Sequence, residues 1–259
     1  MNKTKRKCIN CNNILFNKYL VFADSEILKC INCGLGIRSP FKIKKNHGDF
    51  FEARISQTRI WDKIFNNILD KIEKFSKKGS LLDVGSSEGR FLSIGKNRGW
   101  DVKGIDISLK AVQYSRKKYN VDVINVSVEQ IGNYKFDVIV FSHVIEHMQD
   151  PLSSLKKANE LLRDGGYIYV AVPNMNCIWA KILKIKWFNW QPEQHLWHFQ
   201  KKHMKNFIKR AGFKPIYAVT SSIFLPYITW TKRIKEIINI IMTPFGFGEE
   251  IIIIGQKSK

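Results

Sequence analysis

Leu81-Leu82-Asp83-Val84-Gly85-Ser86-Ser87-Glu88-Gly89-Arg90-Phe91 is the stretch that decides the fold. Its apolar start has the length of a buried strand, its glycines mark a turn, and the residues from Arg90 to about Arg98 read as a helix closed by Gly99. Gly85 allows an unusual backbone conformation and lets a ligand come close to the chain. Gly89 lets the helix pack tightly on the strand. Amides at the start of that helix can hold a polar or anionic group. A second strand, Val102 to Ile105, ends at Asp106, placed to accept hydrogen bonds from a ribose diol. The G-x-G-x-x-G spacing of nicotinamide-binding proteins is not met.

The alternation of strand and helix continues on both sides. Upstream, residues from about Asp49 to Phe75 read as a helix with a stripe at Ile60, Ile64, Ile68 and Ile72. Downstream, Ser108 caps a helix that runs to about Tyr119. Strands are predicted at Val121–Val126, Phe136–Ser142, Tyr167–Val172, Phe213–Thr220 and Glu249–Gly255, and helices at Pro151–Leu162 and Lys201–Ala211. Nearly continuous apolar strands imply a parallel sheet covered on both faces, an α/β fold. At ~150 residues per domain, 259 residues accommodate one large domain, 46–259, and a small N-terminal module, 1–45. Two stretches, about 174–200 and 222–245, break the rhythm as insertions.

With an acid two residues before its first glycine, Asp83-x-Gly85-x-Ser87-x-Gly89 resembles the first motif of class I S-adenosylmethionine-dependent methyltransferases, acid-x-G-x-G-x-G, with Ser87 in place of the middle glycine. FDVIVFSHVIEHMQDP, residues 136–151, resembles the fourth-strand motif of the ubiquinone-biosynthesis-like subgroup. LLRDGGYIYVAVPN, residues 161–174, resembles the segment that follows it. HLWHFQKKHMKNFIKRAGF, residues 195–213, and EEIIIIGQK, residues 249–257, resemble the approach to that subgroup's sixth strand and its antiparallel seventh. The likeness covers about residues 50–259. It implies a seven-stranded, mostly parallel, doubly wound sheet with an antiparallel last strand, and S-adenosyl-L-methionine as cofactor. The cofactor contacts it implies are Asp83, Gly85, Ser86, Ser87 and Gly89 around the methionine, Asp106 and Ile107 at the ribose, Val128 and Glu129 beside the adenine, and Ser142 at the end of the fourth strand. Ser127 stands where the family usually has an aspartate, which puts one adenine contact in question. Arg59 is either a partner for the cofactor carboxylate or an exposed residue of an amphipathic helix.

Methyl transfer from a sulfonium is an in-line displacement that needs alignment and, often, removal of a proton from the acceptor. The candidate groups are His143, His147, His195 and His198, with Glu146 among them, because imidazole titrates near neutrality. His143-x-x-Glu146-His147 follows the fourth strand, where open α/β sheets bind ligands. In related quinone-biosynthesis O-methyltransferases a Glu-x-x-Glu-His motif at this place is associated with metal. Here three readings stand: a proton-transfer pair, a divalent-ion site, and a turn shaped by local hydrogen bonds. His195 and His198 both face the cleft if their segment is a helical turn, or one of them anchors the loop. A histidine base implies that activity falls at acidic pH, where the imidazole is charged.

Cys8-x-x-Cys11 and Cys30-x-x-Cys33, eighteen residues apart, have the spacing of a structural zinc site. Four thiolates leave no open coordination position, so catalysis by this zinc is not expected. The segment holds few core residues, so metal is expected to supply most of its folding energy. Cys177 has no assigned role. A knuckle of this kind resembles those on sugar C-methyltransferases, which carry a further C-terminal domain, and those on a ribosomal-RNA guanine methyltransferase family, whose second knuckle usually includes a histidine.

The chain carries 43 basic and 22 acidic residues, and residues 174–245 alone hold 12 basic and 2 acidic. That excess suits an anionic partner, although Lys supplies 33 of the 43 positives and compositional bias accounts for such a surplus equally well. Trp179, Trp187, Trp190 and Trp197 lie in the same stretch and read as a substrate lid, a platform for single-stranded RNA, a membrane-interface element, or packing. Phe224, Leu225, Tyr227, Ile228 and Trp230, near Lys232 and Arg233, favour a lid or membrane surface. The expected function is O-methylation of a sugar, glycan or related cell-envelope small molecule, phosphorylated or lipid-linked, with peripheral contact to an anionic membrane. The alternative is RNA methylation, with the zinc module and the basic surface binding nucleic acid. No run of ~18 apolar residues and no secretory leader is read, so the expected location is the cytoplasm, at an inner membrane face.

Overall fold

Runs of Val, Ile, Leu and Phe become strands of a central sheet because both of their faces are covered. The structure, a computed structural model, describes residues 2–3, 6–42, 58–222 and 231–258. The strands in chain order are β1 Asn2–Lys3, β2 Leu15–Val21, β3 Glu26–Cys30, β4 Gly36–Ser39, β5 Ser80–Val84, β6 Asp101–Ile105, β7 Asp122–Ile124, β8 Phe136–Ser142, β9 Leu162–Pro173, β10 Trp197–His198, β11 Phe213–Ser221 and β12 Glu250–Lys257. The helices are α1 Thr58–Ile72, α2 Arg90–Asn97, α3 Leu109–Tyr119, α4 Pro151–Leu161, α5 Ile178–Leu183, α6 Lys201–Arg210 and α7 Thr231–Met242.

The main sheet has seven strands in the order β11-β12-β9-β8-β5-β6-β7. β9, β8, β5, β6 and β7 are parallel, and β12 runs antiparallel between β9 and β11. Alternate residues of each strand point to opposite faces. Leu81, Val138, Val140 and Ile252 meet α1, α2 and α3 on one face, through Phe65, Leu69, Leu92 and Val112. Leu82, Ile139, Phe141 and Ile251 meet α4 and α6 on the other, through Leu155, Ala158, Met204 and Phe207. The sheet is doubly wound, as the sequence leads one to expect. β9 begins at Leu162 rather than Tyr167, because Leu162 already pairs with Phe136 and the glycine loop is absorbed as a register shift. β7 is shorter than Val121–Val126. The part of the first predicted helix before Thr58 lies outside the described residues.

β1 to β4 form a second sheet, and its last strand is β10 from the large domain. Trp197 pairs with Ile37 and His198 with Gly36. Phe16, Leu28, Leu35 and Ile37 share one core with Leu196, Trp197, Phe199 and Met204. The expectation of a module folded mainly by metal is corrected here: its apolar residues are buried against the large domain.

Trp187, Trp190 and Trp197 are each 1–2% exposed. Rings so buried cannot stack RNA bases, so that reading of the first insertion is withdrawn in favour of packing. The second insertion contains α7, and Phe224 to Trp230 lie outside the described residues. Among the described residues no helix is long and apolar enough to cross a membrane.

Gly89 shows why the turn is spelled as it is. Its φ is +77°, and a Cβ there would lie 2.5 Å from Cβ of Ser115 in α3. Left-handed backbone costs a non-glycine residue ~1–2 kcal/mol and overpacking ~1–3 kcal/mol. Gly89→Ala should therefore destabilise the fold by roughly 2–4 kcal/mol in urea unfolding. An unchanged midpoint would show that α2 and α3 are free to separate.

Candidate active site

A cleft of about 1070 Å³ opens along the carboxyl ends of β5, β6 and β8. One wall is the glycine turn. Gly85 has φ +72°, and a Cβ there would come within 2.6 Å of Val144 Cγ2, so only glycine lets the turn after β8 pack against it. Asp106, at the end of β6, accepts the Ser87 amide on Oδ2 and the Ser108 amide on Oδ1, both at 2.8 Å. Its carboxylate thus holds the glycine turn and the start of α3 in register. Asp83, Ser86, Ser87, Asp106, Ile107 and Ser142 line the cleft, as do Val128 and Glu129. Glu129 Oε1 accepts a 2.5 Å hydrogen bond from Ser154 Oγ. Gly89 sits at the start of α2, supporting the turn from behind. Arg59 lies in the first turn of α1, where side chains fall outside those described.

Two charged residues on this wall were not picked out from the sequence. Glu88 lines the cleft, 4% exposed, with Oε2 lacking a hydrogen-bond partner. Its signal was an acid inside a glycine turn. Lys71 of α1 also lines the cleft, and burial pulls its pKa down. The Arg90 guanidinium grips Asp62 with both ends, at 2.6 and 2.7 Å, and so ties α1 to α2.

The opposite wall is built around Glu146, in a short 3-10 turn after β8. It is 1% exposed, and neither carboxylate oxygen has a hydrogen-bond partner. Three imidazoles of the cleft surround it. His143 Nδ1 is 3.5 Å from Glu146 Oε1 and its Nε2 is 2.7 Å from Glu250 Oε1. His195 Nε2 is 3.9 Å from the same Glu146 oxygen. The His147 and His195 rings meet edge to face, with centroids 4.7 Å apart. Donor atoms of Glu146, His147 and His195 lie within 4.8 Å of one another, a spacing that could hold a cation. The structure thus takes His143 out of the metal set read from sequence and turns it towards Glu250.

The four histidines differ in charge for identifiable reasons. Burial opposes a charge on His143, but the Glu146 carboxylate close by and the bond to Glu250 outweigh it and raise the pKa to about 10. His143 is therefore a fixed imidazolium and no base. Its φ of +56° is a strained backbone state for a residue with a side chain. Burial, then the neighbouring His147, His198 and His143, push His195 well below the usual imidazole value, so it stays neutral and able to accept a proton. His198 is a correction. It belongs to strand β10 rather than to a helical turn, with its ring 6.2 Å from that of His195. It is absent from the cleft lining, packs against the Trp190 ring at 5.4 Å, and is driven to about 3 by burial and then by Arg38. Glu250 was quoted in the last strand but not chosen; an acid opening an otherwise apolar strand was the available signal.

A group whose charged form is favoured natively adds stability that is complete below its unfolded value and lost as pH rises through its folded value. For His143 that window runs from 6.5 to about 10. The difference in unfolding free energy between the parent and His143→Gln should be largest at the lower end and shrink towards pH 10. A difference constant across the window would mean that His143 is neutral in the native state.

The four cysteines of the N-terminal sheet converge as their spacing implies. Cys8 and Cys33 sulfurs are 3.5 Å apart, as are those of Cys11 and Cys30, and all four are free thiols. All four sulfurs lie within 4.8 Å of one another. Tetrahedral zinc with bonds of ~2.3 Å separates its sulfurs by about 3.8 Å, so the set fits. The Cys8 thiol, and then, against burial, His203, pull the Cys33 pKa down.

The sequence profile of a methyltransferase-domain family matches residues 56–218. Among curated relatives, a ubiquinone biosynthesis O-methyltransferase of Nitrosomonas europaea is 27% identical over 118 residues, 42% of this chain and 50% of that protein. One from Cereibacter sphaeroides is 28% identical over 169 residues, 60% of this chain and 68% of that protein. The chain thus spans about half the length of several curated relatives it matches. Among solved structures, a SAM-dependent methyltransferase from Archaeoglobus fulgidus superposes with a TM-score of 0.60 at 19% identity, covering 82% of this chain and 100% of that one. An N-methyltransferase from Bradyrhizobium japonicum, solved with S-adenosyl-L-homocysteine, gives 0.56 at 10% identity, covering 80% and 91%. With a profile match over more than half of its length and the seven-stranded sheet those structures share, the chain belongs to the methyltransferase-domain family of class I S-adenosylmethionine-dependent enzymes.

Proposed function

We propose that this chain methylates a hydroxyl of a small-molecule acceptor, using S-adenosyl-L-methionine. The acceptor is a sugar, a glycan or a related cell-envelope metabolite, phosphorylated or lipid-linked, met at an inner membrane face. The observation that carries the reading is one cleft with two unlike walls: a glycine turn held by Asp106, and a neutral His195 beside a buried Glu146. Curated relatives that act on oxygen support a hydroxyl acceptor. The burial of Trp187, Trp190 and Trp197 removes a base-stacking platform that an RNA acceptor would have used.

When bound, the cofactor supplies a methyl group already activated on a sulfonium. The protein's part is alignment and proton removal. Asp106 and Ile107 would meet the ribose, Val128 and Glu129 would flank the adenine, and the turn from Gly85 to Gly89 would receive the methionine. His195 would take the hydroxyl proton as the carbon–oxygen bond forms, with His147 orienting the acceptor. Because His195 is depressed well below the usual imidazole range, activity should survive mild acid better than an ordinary histidine base allows. Zinc at Cys8, Cys11, Cys30 and Cys33 would be structural.

Isothermal calorimetry with S-adenosyl-L-homocysteine is the test of the cofactor half. Asp106→Ala should weaken binding by roughly 1.5–3 kcal/mol, the range for hydrogen bonds to a charged group. No binding by the folded parent chain would remove the reading. Incorporation of labelled methyl from cell extract into glycan, lipid or nucleotide-sugar fractions tests the acceptor; label in RNA alone would overturn it. For the metal, purified reduced protein should carry one zinc per chain and Cys30→Ser should lose it, as elemental analysis would show. Because the cysteine sheet shares its core with β10, the loss should also lower the melting temperature of the whole chain.

A further inference from the structure

The described half of α7 is built inside out. There the inward residue is polar: Asn239 is 4% exposed, accepts a 2.7 Å hydrogen bond from Trp179 Nε1 and donates to Glu249 Oε2 at 3.4 Å. Its large apolar residues point to solvent, with Ile237, Ile240 and Ile241 at 57%, 71% and 56% exposure. Phe245, just beyond, is 74% exposed. A helix that packs on a soluble core normally turns its apolar stripe the other way.

The same is true of the segment bonded to it. Trp179 belongs to α5, and the Ile178 amide donates to Phe247 O at 3.1 Å, so α5 and the end of α7 form one surface. α5 and the turns after it expose Ile182, Leu183, Ile185 and Phe188. These two segments hold eight of the fourteen large apolar side chains exposed among the described residues, so the exposure is local rather than scattered. Lys181, Lys184 and Lys186 are exposed among them, and residues 174–192 contain no acid. Apolar side chains interleaved with lysines in a stretch without acids match the interface of a bilayer containing anionic lipid. A second copy of this chain would set lysines against lysines.

We infer that the α5–α7 face docks this protein on an anionic membrane, with Ile182, Ile185, Ile240, Ile241 and Phe245 entering the interface and Lys181, Lys184 and Lys186 meeting lipid headgroups. Phe188 belongs both to this face and to the lining of the cleft, so the cleft opens where the membrane would lie. The inference deepens the proposed function by giving its inner-membrane setting a surface.

Flotation of the full chain with vesicles is the test. The chain should float with vesicles of phosphatidylcholine mixed with phosphatidylglycerol, and far less with phosphatidylcholine alone or at high salt. The double variant Ile240→Asp/Ile241→Asp alters only exposed side chains and should lower the bound fraction by about tenfold. Lys184→Gln/Lys186→Gln should lower it on anionic vesicles and leave the weak binding to neutral ones unchanged. Calorimetry with S-adenosyl-L-homocysteine should be the same for all three proteins, which separates failure of docking from failure of the methyltransferase reading. No flotation with anionic vesicles, or equal flotation of parent and Asp variant, would overturn the inference. So would a concentration-dependent dimer of the parent in sedimentation that the Asp variant abolishes, because the face would then belong to a second copy.

Discussion

A carboxylate with no hydrogen-bond partner, buried at the end of a central strand, is the constraint around which the acceptor side of this protein is arranged. Moving such a group out of water costs several kcal/mol unless charge or hydrogen bonds compensate. Glu146 gets its compensation from His143, which is held protonated between Glu146 and Glu250. His143 and Glu146 lie just after β8 and Glu250 opens β12, so one charge cluster stitches together the sheet's carboxyl edge. The strained backbone of His143 is accounted for on the same grounds, since it aims the ring between two carboxylates. His195 then sits next to an anion already served by another cation. It can remain neutral while lying close to negative charge.

The second consequence runs through the backbone of the same turn. Glu146 O accepts the Leu196 amide at 2.8 Å, and Met148 O accepts Trp197 Nε1 at 2.8 Å. The far side of that stretch belongs to the cysteine sheet. The Arg38 amide donates to Leu196 O at 3.0 Å, and its buried guanidinium donates to the carbonyls of Pro192, Pro40 and Lys42. His203, with Nδ1 accepting the Gln200 amide, donates Nε2–H to Cys33 O at 2.9 Å. The segment carrying Gln194 and His195 is thus clamped between the turn after β8 and a strand two residues beyond a cysteine knuckle. A metal held by the four sulfurs would act on the acceptor wall of the cleft, while the cofactor wall rests on β5, β6 and α3 and meets that clamp where Gly85 packs against Val144.

These two walls were unequally legible. The cofactor wall is written in consecutive residues: Asp83, Gly85 and Gly89 share one turn, and Asp106 ends the next strand, so spacing alone reveals them. The cysteine site is equally local, two knuckles with a fixed interval. The acceptor wall depends on contacts between distant parts of the chain. His195 reaches Glu146 across 49 positions only because β10 leaves the large domain to pair with β4, and no local pattern announces a two-residue strand. Read locally, HLWH looked like a helical turn with both histidines facing the cleft; as a strand edge it leaves only His195 on the lining. His143 looked like a base because its partner Glu250 lies 107 residues away. The tryptophans were ambiguous for a related reason. Composition marks them as large and apolar, but whether they face water or a neighbouring sheet is decided by residues 6–42, which are far from them in sequence.

The electrostatic division between the walls suits a reaction that moves a positive charge. In the proposed transfer the acceptor's proton would pass to His195, and the positive charge that the cofactor wall holds beforehand would be matched afterwards by an imidazolium on the acceptor wall. A buried neutral histidine resists that change when nothing has happened, which keeps it a proton acceptor. Once the proton arrives, Glu146 at 3.9 Å and without a hydrogen-bond donor of its own is placed to stabilise it. The interaction is weak before transfer and strong after it, the direction in which a charge-stabilising group must change to accelerate a step rather than merely hold the reactant. His143 matters for the same reason. By compensating Glu146 in the resting state it prevents His195 from being drawn into early protonation, and with Glu250 sharing its charge it leaves part of the Glu146 field for the moment of transfer.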